Sequence, residues 1–224
     1  MNIQSEAGAA LLSAWPRIIE ETRLVLGSEL HYQAIVYHCL RLYGQIPLSQ
    51  IGMNVKMWIA NPVSPLFQQL DRRKNELYHG GFEPIPDVCL FSEAVSADWR
   101  RRSYENTMAA LLLAIEVKAS ERAGGRLRLG EIKRDILKLQ AHRQEAPARN
   151  HDFIPVMMVI DTAPNPQERM TQESFAGSQS AAREAGVEFF SVSQDRDFCS
   201  MKKMISIESA AIPSSTVKPH RRPR

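Results

Sequence analysis

Cysteine is scarce and scattered. Cys39, Cys89 and Cys199 are the only three in the chain. They lie far apart and show none of the short spacings of a zinc site. Cys39 and Cys89 sit in apolar patterns and read as buried thiols. An odd, unclustered count fits a reducing compartment. Long hydrophobic runs are missing, so no segment is expected to cross a bilayer. The start, MNIQSEAGAALLSAW, has no basic residues ahead of its short apolar run and makes a poor secretory signal. The expectation is a cytoplasmic protein without membrane contact, or one exported without such a signal. There is no Gly-rich phosphate loop, no G-x-S-x-G elbow and no internal repeat. Charge of one sign is not in excess. Lys and Arg number 28 against 25 Asp and Glu, a net charge of +3 that does not by itself argue for nucleic acid.

What is present is enough for one full-sized domain, or a domain with an appendage: 224 residues with an ordinary 44% apolar content. The stretch Met108 to Lys118, MAALLLAIEVK, stands out. Periodicity alone does not distinguish a buried strand from a buried helix in such a run. Gly124-Gly125 and an amphipathic helix pattern follow it, which suits a strand in the middle of a sheet covered by helices. On a strand, Glu116 and Lys118 share one face, and Ile115 and Val117 the other. An acid and a base at a buried strand end are costly unless paired or holding a ligand. A strand end reaching water is the plainer alternative.

Upstream, Ile85 to Phe91 is a second short apolar strand with Pro86-Asp87 near its start. Pro86-Asp87 on one strand, then Glu116-Val117-Lys118 on the next, then a helix, resembles the PD-(D/E)XK nuclease superfamily. The resemblance implies an α/β fold of the restriction-endonuclease-like kind, a mixed sheet of about five strands flanked by helices with a helical N-terminal segment. It implies Mg²⁺ or Mn²⁺ held by Asp87, Glu116 and the carbonyl of Val117, with Lys118 orienting the attacking water or steadying developing charge. A helix ahead of the sheet often adds a glutamate in that superfamily. Glu29 resembles it, and is equally a favourable anion in a helix's first turn. Glu76, on an expected first strand, competes for the same role. The implied substrate is nucleic acid, DNA foremost, and a homodimer is compatible with the resemblance. A nuclease-like fold that binds nucleic acid or protein without cutting is the alternative.

Three parts are expected: a helical N-terminal part (1–74), a nuclease core (75–204) and a disordered basic tail (205–224). Pro16 is placed to open a helix running to about Leu26, with Ile18, Ile19, Thr22 and Val25 inward. Glu29 to Tyr43 reads as a second helix, with Leu30, Ala34, Tyr37 and Leu40 in register and Gly44 as its stop. Leu48 to Ile59 and Leu66 to Leu70 read as short helices, and Glu76 to Tyr78 as an edge strand before a Gly80-Gly81 turn. His79 beside that turn reads as solvated. Ser92 to Thr107 is expected to be a long polar link. Within it Trp99 and Arg100, Arg101 and Arg102 suit a phosphate backbone and a stacked base, or a solvated loop with a half-buried indole.

Beyond Lys118, the basic residues Arg126 and Arg128 precede a helix, Glu131 to Arg143, with Ile132, Ile136 and Leu139 inward. Lys133, Lys138 and Gln140 are candidate phosphate ligands on its polar side, or parts of a solvated face. Phe153 to Ile160 is an apolar strand whose Pro155 argues against full pairing at that end. A helix from about Gln167 to Ala185, ended by Gly186, and a strand Val187 to Val192 complete a parallel strand-helix-strand unit. The pattern fades beyond Ser193.

Overall fold

The central strand feeds two cores at once. A computed structural model describes residues 3–73, 82–100 and 102–201. In it, strand β5 spans Leu111–Ala119. Leu113, Ile115, Val117 and Ala119 point into one apolar cluster, while Leu111 and Ala114 point into another on the opposite face of the sheet. Both clusters are apolar, which is why the strand reads as a continuous apolar run.

The remaining elements follow in chain order. Helices α1 (Gln4–Leu24) and α2 (Glu29–Leu42) precede strands β1 (Ile51–Met53) and β2 (Met57–Trp58) and helix α3 (Pro65–Arg72). Strands β3 (Val88–Phe91) and β4 (Arg102–Ser103) and helix α4 (Tyr104–Ala110) lead into β5. Helix α5 (Leu129–Ala148), strand β6 (Ile154–Asp161), helix α6 (Gln172–Ala185) and strands β7 (Glu188–Ser193) and β8 (Asp197–Cys199) complete the chain. Six strands form a mixed sheet in the order β1-β3-β5-β6-β7-β8, and β2 pairs with β4 separately. Strand β3 is antiparallel to β1 and β5, whereas β5, β6 and β7 run parallel and β8 returns antiparallel. Helices α1 and α2 cover one face. Helices α5 and α6 cover the other. Among the described residues, no helix is long and apolar enough to cross a membrane.

Several local expectations are corrected. Helix α1 starts at Gln4, with Pro16 inside it. The fully buried stripe Ala7, Leu11, Ala14 and Ile18 is spaced for a helix and begins well before the proline, which faces solvent. Helix α2 buries Tyr32, Gln33, Val36, Cys39 and Leu40 rather than Leu30 and Ala34. Tyr32 decides this rotation. Its ring is buried, while its hydroxyl donates to the Val25 carbonyl (3.1 Å) and accepts from the Gly27 N–H (3.2 Å). The same rotation turns Glu29 toward the sheet.

The stretch expected to be helical from Leu48 to Ile59 contains one short 3-10 turn (Leu48–Gln50) and strands β1 and β2. Pro47 ahead and the positive φ of Asn54 behind leave no room for a helix. Strand β1 therefore supplies the outer neighbour of β3. The edge strand expected at Glu76 to Tyr78, the Gly80-Gly81 turn and His79 lie outside the described residues.

The link from Ser92 to Thr107 carries a 3-10 turn (Glu93–Val95), β4 and the start of α4. Met108 to Ala110 ends that helix, and the strand begins only at Leu111. One apolar run thus serves a helix end and a strand start, and hydrophobicity does not mark the junction. Helix α5 extends past Arg143 to Ala148, and β8 adds a short sixth strand beyond Ser193. Pro155 behaves as expected. It pairs with Ala114 on one side, while pairing to β7 starts only at Val156.

Candidate active site

The antiparallel register sets Val88 opposite Ile115, so the next position, Asp87, falls opposite Glu116 on the same side of the sheet. Pro86 is buried just ahead of it. Asp87 Oδ2 accepts a hydrogen bond from the Val117 N–H at 2.6 Å, which ties the acid to β5. Burial pushes the Asp87 carboxyl up to about 6, assisted by the negative charges of Glu29 and Asp135 and opposed by the Val117 bond and Lys118. Glu116 goes further. Burial, then the charges of Asp87 and Asp135, push its carboxyl up to about 8. Among the described residues no hydrogen bond or ion pair is made by the Glu116 carboxylate.

Two residues beyond Glu116, Lys118 lies on the same face of β5. Its Nζ is 2.9 Å from Glu29 Oε1 on α2 and 3.0 Å from Asp135 Oδ2 on α5. Burial alone would lower the pKa of this lysine. The hydrogen bonds to Glu29 and Asp135 outweigh it and keep the ammonium charged. Asp135 is 5% exposed and also takes Lys138 Nζ at 2.6 Å. Lys118, Glu29, Asp135 and Lys138 line one cleft of about 900 Å³ beside the N-terminal turns of α5. Arg122, Arg126, Arg128 and Arg134 line it too, against the acids Glu121 and Glu131. Its walls therefore carry more positive than negative side chains, which suits a polyanion.

The expected contact residues separate into two groups. Arg126, Arg128 and Lys138 reach the cleft. Arg126 is braced by donating to the Gln167 carbonyl at 2.9 Å, and the Arg128 N–H donates to Glu131 at 2.9 Å. Lys133 is exposed elsewhere on α5, and Gln140 is half-buried outside the cleft lining. Arg100 is exposed and makes a two-bond pair with Asp98 at 3.1 and 2.8 Å, away from the cleft. Trp99 packs on Phe91 with ring centroids 4.9 Å apart, and Gly52 lets it approach, since a Cβ there would lie 3.3 Å from the indole. Its indole therefore supports the sheet edge. Arg102 opens β4 opposite Met57, and Arg101 and Glu76 lie outside the described residues.

Comparisons with protein-family models, with curated proteins and with solved structures find no match.

Sequence reasoning missed Asp135 and, among the cleft arginines, Arg122 and Arg134. Asp135 had a visible signal. It sits three residues after Ile132 and four before Leu139, so it falls within the apolar stripe of α5, where a carboxylate is out of place.

A divalent cation can be tested against this donor set. Among the described residues, no three His, Cys, Asp or Glu side chains converge on one point. Two carboxylates suffice for Mg²⁺, which keeps several waters. Asp87 and Glu116 are hard oxygen donors on neighbouring strands, and among the described residues Glu116 feels Lys138 and Lys118 only at a distance, with no hydrogen bond or ion pair. Their residues fit such an ion.

Proposed function

We propose that this chain is a metal-dependent nuclease of the restriction-endonuclease-like fold, hydrolysing phosphodiester bonds in nucleic acid, with DNA as the foremost substrate. The observation that carries the reading is the pair Asp87 and Glu116. Two largely buried carboxylates face each other on adjacent strands, both are shifted toward protonation, and a lysine follows on the same face at the mouth of a basic cleft. Largely buried acids with raised pKa values beside a cleft mark a candidate site for a cation or a substrate.

Asp87, Glu116 and the Val117 carbonyl would hold Mg²⁺ or Mn²⁺, while Glu29 pairs with Lys118. When bound, such an ion supplies an activated water and neutralises charge on phosphoryl oxygens. Lys118 presents its ammonium to the water or to the developing negative charge. Arg126, Arg128 and Lys138 hold flanking phosphates.

A second reading, a nuclease-like module that binds without cutting, draws on the doubly paired state of Lys118 and the absence of a three-acid group among the described residues. One experiment separates them. The protein is incubated with plasmid, linear and single-stranded DNA and with RNA, in Mg²⁺, in Mn²⁺ and in chelator. Cleavage that requires the ion is expected. Binding without ion-dependent cleavage of any substrate moves the reading to the non-cutting module.

A further inference from the structure

Asp135 is nearly enclosed, yet its two oxygens are shared between two lysines from different elements. Oδ1 meets Lys138 Nζ at 2.6 Å, and Oδ2 meets Lys118 Nζ at 3.0 Å. The three residues come from separate constraints. Lys118 is fixed by the register of β5, and Asp135 and Lys138 lie three residues apart on one face of α5. The Lys138 side chain is 66% exposed. A lysine that exposed ordinarily samples many rotamers, and holding it in one place needs a specific partner. A buried carboxylate serving only to neutralise one lysine would need just one. Here Glu29 already pairs with Lys118.

We propose that Asp135 is a positioning residue whose single carboxylate holds Lys118 and Lys138 side by side on the cleft floor, forming a paired-ammonium seat for the phosphoryl oxygens of the substrate. The proposal rests on the nuclease reading above. Lys118 serves the reacting phosphoryl group and Lys138 an adjacent oxygen, and Asp135 acts through both without touching substrate. Without Asp135, Lys118 keeps its Glu29 partner and stays near the cleft, drawn toward α2. The expected consequence is misplacement of a charge rather than its loss, which costs turnover more than affinity.

The test uses the full chain as wild type, Asp135→Asn, Lys118→Ala, Lys138→Ala and the Asp135→Asn/Lys118→Ala double variant. The first readout is the ¹H–¹⁵N correlation signals of the lysine ammonium groups, assigned by their loss in the two alanine variants. Both signals should be present in wild type and should shift or broaden away in Asp135→Asn. Unchanged signals overturn the proposal. The second readout is steady-state cleavage of a DNA duplex in Mg²⁺. Asp135→Asn should lower kcat by about 10- to 100-fold, the usual range for residues that orient a site from behind it. KM should stay within about 3-fold, as expected when the lost interaction belongs to the transition state. In the Lys118→Ala background the same change should cost far less, because the pair acts as a unit. A full, additive loss there overturns it. If Asp135→Asn does not fold, Asp135→Glu decides. The displaced carboxylate must perturb both ammonium signals and lower kcat, and a variant indistinguishable from wild type in both sinks the idea. If wild type cleaves nothing, the nuclease reading fails on its own, and the ammonium signals still decide whether Asp135 seats the two lysines.

Discussion

Helix α5 borders two regions that bury carboxylates, and it treats them in opposite ways. Near its C-terminal end, Glu145 is fully buried and completely satisfied. It accepts from the Val63 N–H at 3.0 Å, the Ser64 N–H at 2.8 Å and Arg149 Nε at 2.9 Å. Burial would raise the pKa of this acid, but the backbone and Arg149 hydrogen bonds outweigh it and hold it below the usual range. Near the N-terminal half of the same helix, Glu116 is pushed up to about 8 beside Asp87 and Asp135. The first arrangement fastens the loop ahead of α3 to α5 and has nothing left to offer. In the second, burial and neighbouring acids outweigh the attraction of Lys118 and Lys138 and shift the carboxyls toward protonation. The contrast separates an acid that is part of the scaffold from acids that form a site.

Breaking the second region should have the largest effect, and chiefly on activity. Lys118→Ala should lower turnover by about 100-fold or more, as for loss of other groups that stabilise transition-state charge. Asp87→Asn should abolish cleavage through lost ion affinity, with partial recovery in excess Mg²⁺ or Mn²⁺. Nucleic-acid affinity in chelator should change little in either variant, because it comes from dispersed basic residues. Cleavage rates over an ion titration, with binding measured alongside, check both. Retention of wild-type turnover by Lys118→Ala would remove that lysine from the chemistry.

The first region should answer with stability. Glu145→Ala removes the acceptor of the Val63 and Ser64 N–H groups and of Arg149 Nε, while Arg149 keeps its bond to the Asn61 carbonyl. Breaking a buried pair in this way costs about 3 kcal/mol. Denaturant unfolding should show that loss at pH 7, whereas cleavage per folded molecule should be unchanged. A loss under about 1 kcal/mol would mean that water replaces the carboxylate at little cost.

The two regions should also differ in sign with pH. The folded-state pKa of Glu116 lies above its ordinary value near 4.5, so the folded protein holds this proton more tightly than the unfolded chain. The stabilisation this supplies is complete below about 4.5 and is lost as pH rises through about 8. Asp87 adds a smaller effect of the same sign between its ordinary 3.8 and about 6. Glu145 has the opposite sign, contributing above its unfolded value and losing that only as pH falls through its lower folded value. Without divalent ion, unfolding free energy should fall by about 2–4 kcal/mol from pH 5 to pH 9. Glu116→Gln should flatten most of that slope, and saturating Mg²⁺ should reduce it. A slope unaffected by Glu116→Gln would mean that the glutamate is solvated.

Only one side of this contrast was legible in the sequence, since nothing there marked Glu145 as a buried and fully bonded acid. Strand alternation, a short-range rule, put Glu116 and Lys118 on one face of β5, and the resemblance to PD-(D/E)XK nucleases added Asp87, which the register sets opposite Glu116. The sheet, the parallel β5-β6-β7 unit and the place of Pro155 followed from the same local patterns. The inward side of α1 was read correctly at Ile18, Ile19, Thr22 and Val25, whereas that of α2 was read partly wrong, because α2 carries apolar residues on more than one side. Leu30 stays 62% exposed while Tyr32 is buried, a choice made by partners distant in sequence such as Thr162, 3.3 Å from the Tyr32 hydroxyl. Strand β1 was missed because a strand that short has too few residues for alternation to register. In sequence Asp135 is flanked by Lys133, Arg134 and Lys138, so the segment reads as a basic solvated face. A carboxylate within an apolar helical stripe was the signal.

The smallest expected effects lie along the cleft, and they separate basic residues that look alike in sequence. Arg126 and Arg134 line the cleft, whereas Arg100 is paired with Asp98 on a different part of the surface. Each phosphate contact contributes about 0.9 to the slope of log affinity against log salt on duplex DNA. Arg126→Ala and Arg134→Ala should each lower that slope by close to this amount and weaken binding uniformly across sequences, since backbone contacts carry no base information. Arg100→Ala should leave the slope unchanged, because its charge is already met by Asp98. Affinities measured across a salt series on two unrelated duplexes give the comparison directly. If Arg100→Ala reduces the slope as much as Arg126→Ala, the nucleic acid does not follow this cleft. The site would then have to be sought on the Asp98 side of the sheet.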